Sequence, residues 1–318
     1  MIKAFSFSKN KLIEIKPEDI VKDKKSLFWI DLENSNSKEI SSIKKIFDIH
    51  PTTEEDILSN QTRTKYEEFE ENTSVIIQTI KRVETINIKT YNLSFISGEN
   101  YLITSHSELN ENITYLINNQ KKLENLIKKG TTHIFHYLLD KEVDKCMQIK
   151  AILFEEFKKL ERKFVSNLEK EVFEDLFKKE LTLLEMRQIM ESLTDLCLIL
   201  TKSGDNYIDN ELLPYFRDIY DHSFRTTESL KSILGRISGM RNAYQLIISN
   251  KLNEAMRNLT IIMAIMMPLT IITGYYGMNI KLPFQEVPTL WGVLLLLMTG
   301  ISILMFFLFR KMNLNMKD

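Results

Sequence analysis

The sequence predicts an α/β domain followed by long α-helices and two C-terminal transmembrane helices. Up to about residue 110, short runs alternate apolar and polar residues or are rich in β-branched and aromatic side chains, which is typical of strands. Beyond that point apolar residues recur every three or four positions, a spacing that predicts helices. Near the C-terminus, the apolar segments 259–276 and 290–309 are each long enough to cross a bilayer.

The first predicted domain, residues 1–110, is a cytosolic α/β module. Its first helix is expected at residues 38–47, and a second helix is expected to begin near Thr52. Glu55 lies three residues after Thr52, which is the spacing of a capping box. Six runs are expected to form strands: residues 3–7, 11–15, 27–32, 74–80, 92–96 and 101–104.

Residues 111–211 are predicted to form a cytosolic helical region, and residues 212–258 a stalk helix that leads into the membrane. Pro214 fits the first turn of the stalk, because a helix tolerates proline where no backbone N–H is required. No pair of helix-breaking residues follows before Gly274. A continuous helix of roughly sixty residues would extend over about 90 Å. The sequence therefore predicts that a cytosolic module is coupled mechanically to a transmembrane helix.

Four segments make up the predicted membrane region. They are the first transmembrane helix at 259–279, an external loop at 280–289, the second transmembrane helix at 290–309 and a basic cytosolic tail at 310–318. Basic residues flank the helices on one side: Lys251, Arg257, Arg310, Lys311 and Lys317. In the external loop, the positive charge of Lys281 is offset by the negative charge of Glu286. Since Lys- and Arg-rich flanks stay inside, both termini are expected to be cytoplasmic, and we expect no cleavable signal.

The composition and the motifs limit the classes of function that the protein can have. The formal net charge of −1 gives no electrostatic reason to expect a nucleic-acid partner. The cysteines are Cys146 and Cys197, both in helical patterns, and a structural disulfide is not expected in a reducing cytosol. No arrangement of Ser, His and Asp or of Cys and His suggests a nucleophile, and no glycine-rich loop suggests a bound nucleotide. We therefore expect a protein that is not an enzyme.

One face of the first transmembrane helix carries a regular series of residues. They recur at alternating intervals of three and four: Asn253, Met256, Leu259 or Thr260, Met263, Met267, Thr270 and Gly274. Two spans in one chain cannot enclose a water-filled path, so transport would require several copies around an axis that this face lines. The same spacing is also typical of residues that pack against a partner helix in lipid.

The turn after the first span contains a recognisable motif. Residues 276–279 read Tyr-Gly-Met-Asn, and residues 267–270 inside the span read Met-Pro-Leu-Thr. Together they resemble the CorA family of pentameric divalent-cation channels. Three upstream segments agree with the family in the same order: Trp-Ile-Asp-Leu at 29–32, the stretch that begins His-Pro at 50–58, and Pro-Tyr-Phe-Arg-Asp-Ile-Tyr-Asp-His at 214–222.

The resemblance implies a funnel-shaped homopentamer in the cell's inner or plasma membrane that admits hydrated Mg²⁺ down its electrochemical gradient. In the family, the Gly-Met-Asn turn is the selectivity element, which assigns that role to Gly277, Met278 and Asn279. Mg²⁺ gives up its waters reluctantly, so a ring of amide and carbonyl oxygens can hold the ion through its hydration shell. The series on the helix face would supply polar rings at its ends and a hydrophobic gate between them.

The resemblance also implies closure by cytosolic Mg²⁺ bound between protomers. Asp218 occupies the matching position in the Tyr-Phe-Arg-Asp segment and is the first candidate ligand. Its partner is expected near residues 82–84, where Glu84 is the nearest acid.

Two departures from the family's pattern bear on selectivity. The external loop lacks the acidic Met-Pro-Glu-Leu sequence of many members and retains Glu286, opposed by Lys281. Met263 stands where a small residue is usual, and its thioether could favour softer ions such as Co²⁺ or Ni²⁺.

One alternative is a zinc transporter of the related ZntB-like branch, with Zn²⁺ flux coupled to protons. A different class is a cytosolic sensor that is tethered to the membrane without a pore.

Overall fold

The chain forms two compact units, Met1–Gly239 and Met240–Asp318. The computed structural model describes residues 1–21, 23, 25–59, 62–83, 87–166, 170–202, 210–280, 282–283 and 289–315. The first unit contains a mixed sheet and a set of helices, and the second contains two long apolar helices. The predicted order of an α/β module, long helices and two apolar C-terminal helices is confirmed.

The sheet of the first unit has the strand order β2-β1-β3-β7-β6-β5-β4. The strands are β1 (Ile2–Ser8), β2 (Lys11–Ile15), β3 (Leu27–Glu33), β4 (Lys65–Glu68), β5 (Thr73–Val83), β6 (Ile88–Ser97) and β7 (Tyr101–His106). Neighbouring strands are antiparallel, except that β3 and β7 run parallel. All six predicted runs lie within these strands. The sequence does not predict β4, because this edge strand reads Lys-Tyr-Glu-Glu and has no apolar alternation.

Both faces of the sheet are buried at its centre. On one face, the Phe47 and Tyr101 ring centroids lie 4.5 Å apart, and the Tyr101 hydroxyl donates to the Phe47 carbonyl at 3.2 Å. On the other face, the Trp29 ring stacks on Phe5 at 5.5 Å. Successive strand residues point to opposite faces, so a central strand such as β3 must be apolar on both. This aromatic core holds the helices against the sheet.

The helices account for most of the remaining residues. They are α1 (Ser37–Phe47), α2 (Pro51–Leu58), α3 (Glu111–Asn118), α4 (Gln120–Ile127), α5 (Thr131–Ser166), α6 (Lys170–Lys202), α7 (Leu213–Tyr276) and α8 (Leu290–Asn315). Helix α7 begins one residue before Pro214, as predicted, and continues for 64 residues.

The start of α2 differs from the prediction. The N-cap is His50, whose Nδ1 accepts a hydrogen bond from the Thr52 backbone N–H at 3.3 Å. The predicted capping box between Thr52 and Glu55 is therefore wrong. Pro51 explains the difference, because its fixed φ angle suits the first helical position and starts the helix before Thr52.

Aromatic contacts connect the sheet to the long helices. Phe135 of α5 lies 4.9 Å from Phe95 of β6 and 5.7 Å from Phe216 of α7, measured between ring centroids. Beyond Phe216, buried residues of α7 recur every three or four positions as far as Ile237. Arg236 then pairs with Glu161 of α5. The first part of α7 is thus an integral part of the first unit.

A buried carboxylate also joins the sheet to α5. Glu142 is 3% exposed and accepts hydrogen bonds from Thr79 Oγ1 at 2.8 Å, Asn110 Nδ2 at 2.8 Å and Asn112 Nδ2 at 3.1 Å. These donors come from β5 and from the beginning of α3. Buried charge is costly without hydrogen bonds, so the three donors make this position possible.

A second buried polar group lies between β3 and β7. His106 Nδ1 faces the Glu108 carbonyl oxygen at 2.6 Å, and His106 Nε2 faces Asp31 Oδ1 at 3.2 Å. Asp31 also accepts from the Thr104 hydroxyl, which in turn accepts from the Trp29 indole N–H. Both ring nitrogens face acceptors, and this arrangement favours the form of His106 that carries a proton on each nitrogen and pairs with Asp31.

This pair should make the stability of the first unit depend on pH. Burial disfavours the charge on His106, but its hydrogen bond to Asp31 and the negative charge of that carboxylate outweigh burial and raise the pKa of His106 above 6.5. The stabilisation is therefore complete below pH 6.5 and is lost as the pH rises through the raised pKa. Each unit by which the pKa of His106 is raised corresponds to about 1.4 kcal/mol of stability that is lost over this titration.

The measurement is denaturant unfolding between about pH 6 and about pH 9, since this window brackets the histidine titration. Trp29 fluorescence reports the first unit if the other tryptophan is removed by Trp291→Phe. In that background, His106→Gln should lower the free energy of unfolding at the acidic end and flatten its pH dependence. Identical pH profiles for the two proteins would contradict the assigned charge state.

Candidate permeation site

The second unit contains the segments that could cross a membrane. The C-terminal part of α7 and helix α8 are each long and apolar enough for this, and their apolar windows are not buried in the chain. Many large apolar side chains are exposed, including Leu259, Met266, Ile271, Leu296 and Phe307. An apolar surface of this extent must be covered by lipid or by other copies of the chain.

One face of the C-terminal part of α7 is half-buried. Its members are Arg257, Ile261, Ala264, Ile265, Pro268, Leu269, Ile272 and Tyr276. At about 100° per residue, these positions share one side of the helix. Helix α8 carries a similar series at Leu290, Leu294, Met298, Ile301, Met305 and Phe309. Each of the two helices thus has one face that is less exposed than the rest of its surface.

The predicted series lies on the opposite side of α7. It contains Asn253, Met256, Leu259, Met263, Met267, Thr270 and Gly274, all of which are exposed. The rotation of about 100° per residue places their average direction roughly opposite the half-buried face. Thr260 is exposed as well and lies near one edge of this surface. We call this side of α7 the open face.

Hydroxyl groups on the C-terminal part of α7 donate to the helix backbone. Thr270 Oγ1 donates to the Met266 carbonyl at 2.9 Å, and Thr260 Oγ1 donates to the Met256 carbonyl at 2.9 Å. A hydroxyl that has donated its proton still has lone pairs, so its oxygen can accept from water. Thr270 therefore presents an acceptor at the end of the open face nearest the turn, which suits the hydration shell of a cation.

The turn after α7 depends on Gly277. Its backbone N–H donates to the Thr273 carbonyl at 2.9 Å, and the Met278 N–H approaches the Tyr275 carbonyl at 3.4 Å. A Cβ atom at position 277 would lie 2.8 Å from the Thr273 carbonyl oxygen, which is closer than real Cβ atoms come to other heavy atoms. A side chain at position 277 would therefore force this turn to shift. Thr273 is not among the site residues predicted from the sequence, although it lies four residues before Gly277.

The three residues of the Gly-Met-Asn turn are all exposed. Gly277, Met278 and Asn279 follow directly after the last residue of α7. The Asn279 side chain has an amide oxygen and an NH₂ group that can bind water or a hydrated ion. The charged residues predicted for the loop, Lys281 and Glu286, lie outside the described residues.

The predicted regulatory residue Asp218 lies on the exposed surface of α7 in the first unit. Its side chain is 71% exposed, and Oδ1 is 3.5 Å from His222 Nε2 one turn later. The other candidate, Glu84, lies outside the described residues. Across the part of the chain that the structure describes, no group of three or more His, Cys, Asp or Glu side chains could hold a metal. A cation at Asp218 would need ligands from beyond this described set.

These features define an integral membrane protein with two candidate transmembrane helices and a large extramembrane α/β unit. The model of the family described as CorA-like Mg²⁺ transporter protein matches residues 24–311. The chain therefore belongs to the CorA-like Mg²⁺ transporter family and is a divalent metal ion transporter of that family. The family consists of transporters and not enzymes, which agrees with the prediction from the sequence.

Known proteins resemble this chain over almost its whole length. The cobalt/magnesium transport protein CorA of Thermotoga maritima is 27% identical over 323 aligned residues, covering 98% of this chain and 91% of that protein. The complete structure of the CorA magnesium transporter from Methanocaldococcus jannaschii has a TM-score of 0.79 at 22% identity and covers 98% of this chain and 97% of that one.

A third similarity concerns the extramembrane part. The ZntB cytoplasmic domain from Vibrio parahaemolyticus has a TM-score of 0.60 at 10% identity, covering 78% of this chain and 98% of that domain. This identity establishes a shared fold and nothing about the transported ion.

Proposed function

We propose that the chain forms a homopentameric channel in the cell's inner or plasma membrane, with both termini in the cytoplasm. Hydrated Mg²⁺ is its main substrate, and Co²⁺ and Ni²⁺ are further substrates. The observation that carries this proposal is the open face of α7, which runs opposite the half-buried face and leads directly to the Gly-Met-Asn turn. The Thermotoga maritima relative is named as a cobalt/magnesium transporter, which supports Mg²⁺ and Co²⁺.

The turn is the proposed selectivity filter. Five copies of Asn279 surround the axis with amide oxygens, and the Gly277 and Met278 carbonyls lie beside them. These oxygens accept hydrogen bonds from the waters of Mg²⁺, so the ion need not lose its hydration shell. Contacts through water bind weakly enough for release. A membrane potential of 100 mV contributes about 4.6 kcal/mol to the entry of a divalent ion, at about 2.3 kcal/mol per charge.

The open face is the proposed wall of the pore. Asn253 and Thr270 form polar rings at its two ends, and Met256, Leu259 and Met267 form hydrophobic constrictions that close by dewetting. Met263 adds a thioether ring between them. Gly274 has no atom within 4 Å of an added Cβ in the single chain, so neighbouring helices can approach there. In the proposed channel, the part of α7 that crosses the membrane runs from residue 259 to the end of the helix at Tyr276, and the turn at 277–279 completes the predicted segment 259–279.

Regulation is proposed to occur at Asp218. A divalent ion that binds only in the closed assembly, between Asp218 and a ligand of a neighbouring copy, shifts the population toward the closed state. Glu84 is the proposed second ligand. The exposure of Asp218 supports this role, since a side chain that is 71% exposed is free to meet another copy.

The Asp218→Asn variant should be less sensitive to internal Mg²⁺. We expect the internal Mg²⁺ concentration for half-inhibition to rise by about tenfold, which corresponds to about 1.4 kcal/mol of lost binding energy. The measurement is patch recording with Mg²⁺ titrated on the cytoplasmic side. Asp175→Asn is the control, because Asp175 is a 59% exposed acid paired with Lys178 on α6. Unchanged inhibition in Asp218→Asn would exclude Asp218 as a ligand.

A zinc transporter is the second candidate function. The sequence of the external loop is poor in acidic residues, so electrostatic capture of cations at the mouth is weak and the selectivity can differ from that of an Mg²⁺ channel. A membrane-tethered sensor without a pore receives no such support, because the family is one of transporters.

Ion flux into proteoliposomes tests the proposal. Purified protein should take up Mg²⁺, with Co²⁺ and Ni²⁺ as competitors, and uptake should follow the membrane potential. Uptake of Zn²⁺ that increases with an acidic exterior, without Mg²⁺ flux, would favour the zinc transporter. No flux of any divalent ion from correctly folded protein would favour the tethered sensor.

A further inference from the structure

Three methionines lie within one turn of α7. Met263, Met266 and Met267 are 51%, 53% and 64% exposed. Residues separated by three or four positions are neighbours on a helix, with Cβ atoms about 5–6 Å apart. Met263 is therefore a neighbour of both Met266 and Met267, whereas Met266 and Met267 are adjacent in sequence and point about 100° apart. Each methionine has three rotatable side-chain bonds, which let its sulfur reach across that angle toward a shared ion. We call Met263, Met266 and Met267 the thioether cluster.

We propose that the thioether cluster binds a soft monovalent cation of the Cu⁺ or Ag⁺ class and that the bound ion blocks the conduction path. Thioethers are soft ligands that select Cu⁺-like ions, whereas Mg²⁺ prefers oxygen. Three sulfurs from one chain supply a complete low-coordination site, so binding itself requires no other copy. Blockage rests on the proposed function, because Met263 and Met267 must line a wet pore.

The position of the cluster favours access from water over access from lipid. Met263 and Met267 lie near the middle of the open face, and Met266 lies at its edge, opposite the half-buried face. A small cation enters hydrocarbon only at great cost. If the open face lines an aqueous path, the ion reaches the sulfurs directly, and neighbouring copies supply further sulfurs at the same depth.

The two cysteine thiols of the chain must be removed before the assay, since thiols also bind soft cations. Cys146 and Cys197 are buried in the first unit at 3% and 1% exposure. Burial raises the pKa of each thiol to about 12, so neither is readily deprotonated. A Cys146→Ala/Cys197→Ala background removes both thiols.

The experiment measures Mg²⁺ uptake into proteoliposomes in chloride-free buffer with and without micromolar Ag⁺. In the cysteine-free background, Ag⁺ should reduce uptake at least tenfold. A variant with Met263→Leu, Met266→Leu and Met267→Leu keeps similar side-chain volumes and loses all three sulfurs. Its uptake with Ag⁺, relative to its own uptake without Ag⁺, should fall less than twofold. Met298→Leu on α8 is the matched control and should remain sensitive.

A second measurement applies if the triple variant conducts poorly. The silver retained per chain after desalting, determined by elemental analysis, should fall by at least one ion in the triple variant and stay unchanged in Met298→Leu. Uptake of Mg²⁺ that resists Ag⁺ in the cysteine-free protein would overturn the blocking site and leave the proposed channel intact. Equal block or equal silver retention in the triple variant would also overturn it. Absence of Mg²⁺ uptake without silver would instead contradict the proposed function.

Discussion

Replacing Asn279 with alanine is expected to reduce Mg²⁺ flux by about tenfold or more while the oligomer still assembles. Each hydrogen bond to the hydrated ion contributes about 1 kcal/mol net, and the variant loses several of them around one ring. A loss of about 1.4 kcal/mol already corresponds to a tenfold change. Alanine introduces no clash, because Asn279 is exposed and follows the end of α7.

Two measurements are needed to interpret the Asn279→Ala variant. Proteoliposome flux and rescue of a strain that depends on added Mg²⁺ report transport, and native mass spectrometry of the purified protein reports assembly. Asn118→Ala, the same substitution at an exposed asparagine of α3, should leave both unchanged. Full transport by an assembled Asn279→Ala protein would remove Asn279 from the filter.

The helical regions were predictable because their packing follows local periodicity. The α6 residues Leu183, Met186, Ile189, Leu193 and Leu196 recur every three or four positions, and all five are buried. The same reasoning places the open face of α7, which needs only the helical repeat. A short polar strand such as β4 has no such pattern, and its place depends on pairing with β5.

Polar contacts between distant parts of the chain could not be predicted from spacing. His106 meets Asp31 across 75 residues, and Glu142 meets Thr79 across 63. In the sequence these are ordinary polar and charged residues, and their burial becomes evident only when β3, β5 and α5 are placed together. The N-cap predicted for α2 was also wrong, because His50 and not Thr52 accepts the capping hydrogen bond.

The candidate site was predictable as a face and a turn, but not as an assembly. Periodicity groups the residues from Asn253 to Gly274, and the motif identifies Asn279. Neither the periodicity nor the motif shows what the open face contacts, because that contact depends on the number and arrangement of copies. The same limit applies to Asp218, for which no complete metal site exists among the described residues of a single chain. Variants that separate effects within one chain from effects between copies are therefore the most informative.

The glycines of α7 and its turn provide such a pair of variants. Within the chain, an added Cβ at Gly274 meets nothing within 4 Å, whereas one at Gly277 meets the Thr273 backbone oxygen at 2.8 Å. Gly274→Ala should therefore be tolerated by an isolated chain, and alanine favours the helix by roughly 0.5–1 kcal/mol. Loss of flux in Gly274→Ala would then have to come from contact with another copy.

Gly277→Ala is expected to reduce flux by about tenfold or more, because the turn must move and Asn279 moves with it. A displacement of about 1 Å at a functional site can reduce activity roughly a hundredfold. Flux and thermal stability of the purified protein should be measured together, with Gly300→Ala on α8 as the control, since an added Cβ there also meets nothing within 4 Å. Lost flux with unchanged thermal stability would locate the defect in the turn. Normal flux in Gly277→Ala would show that the filter does not require this backbone, and the proposed role of the Gly277 and Met278 carbonyls would have to be abandoned.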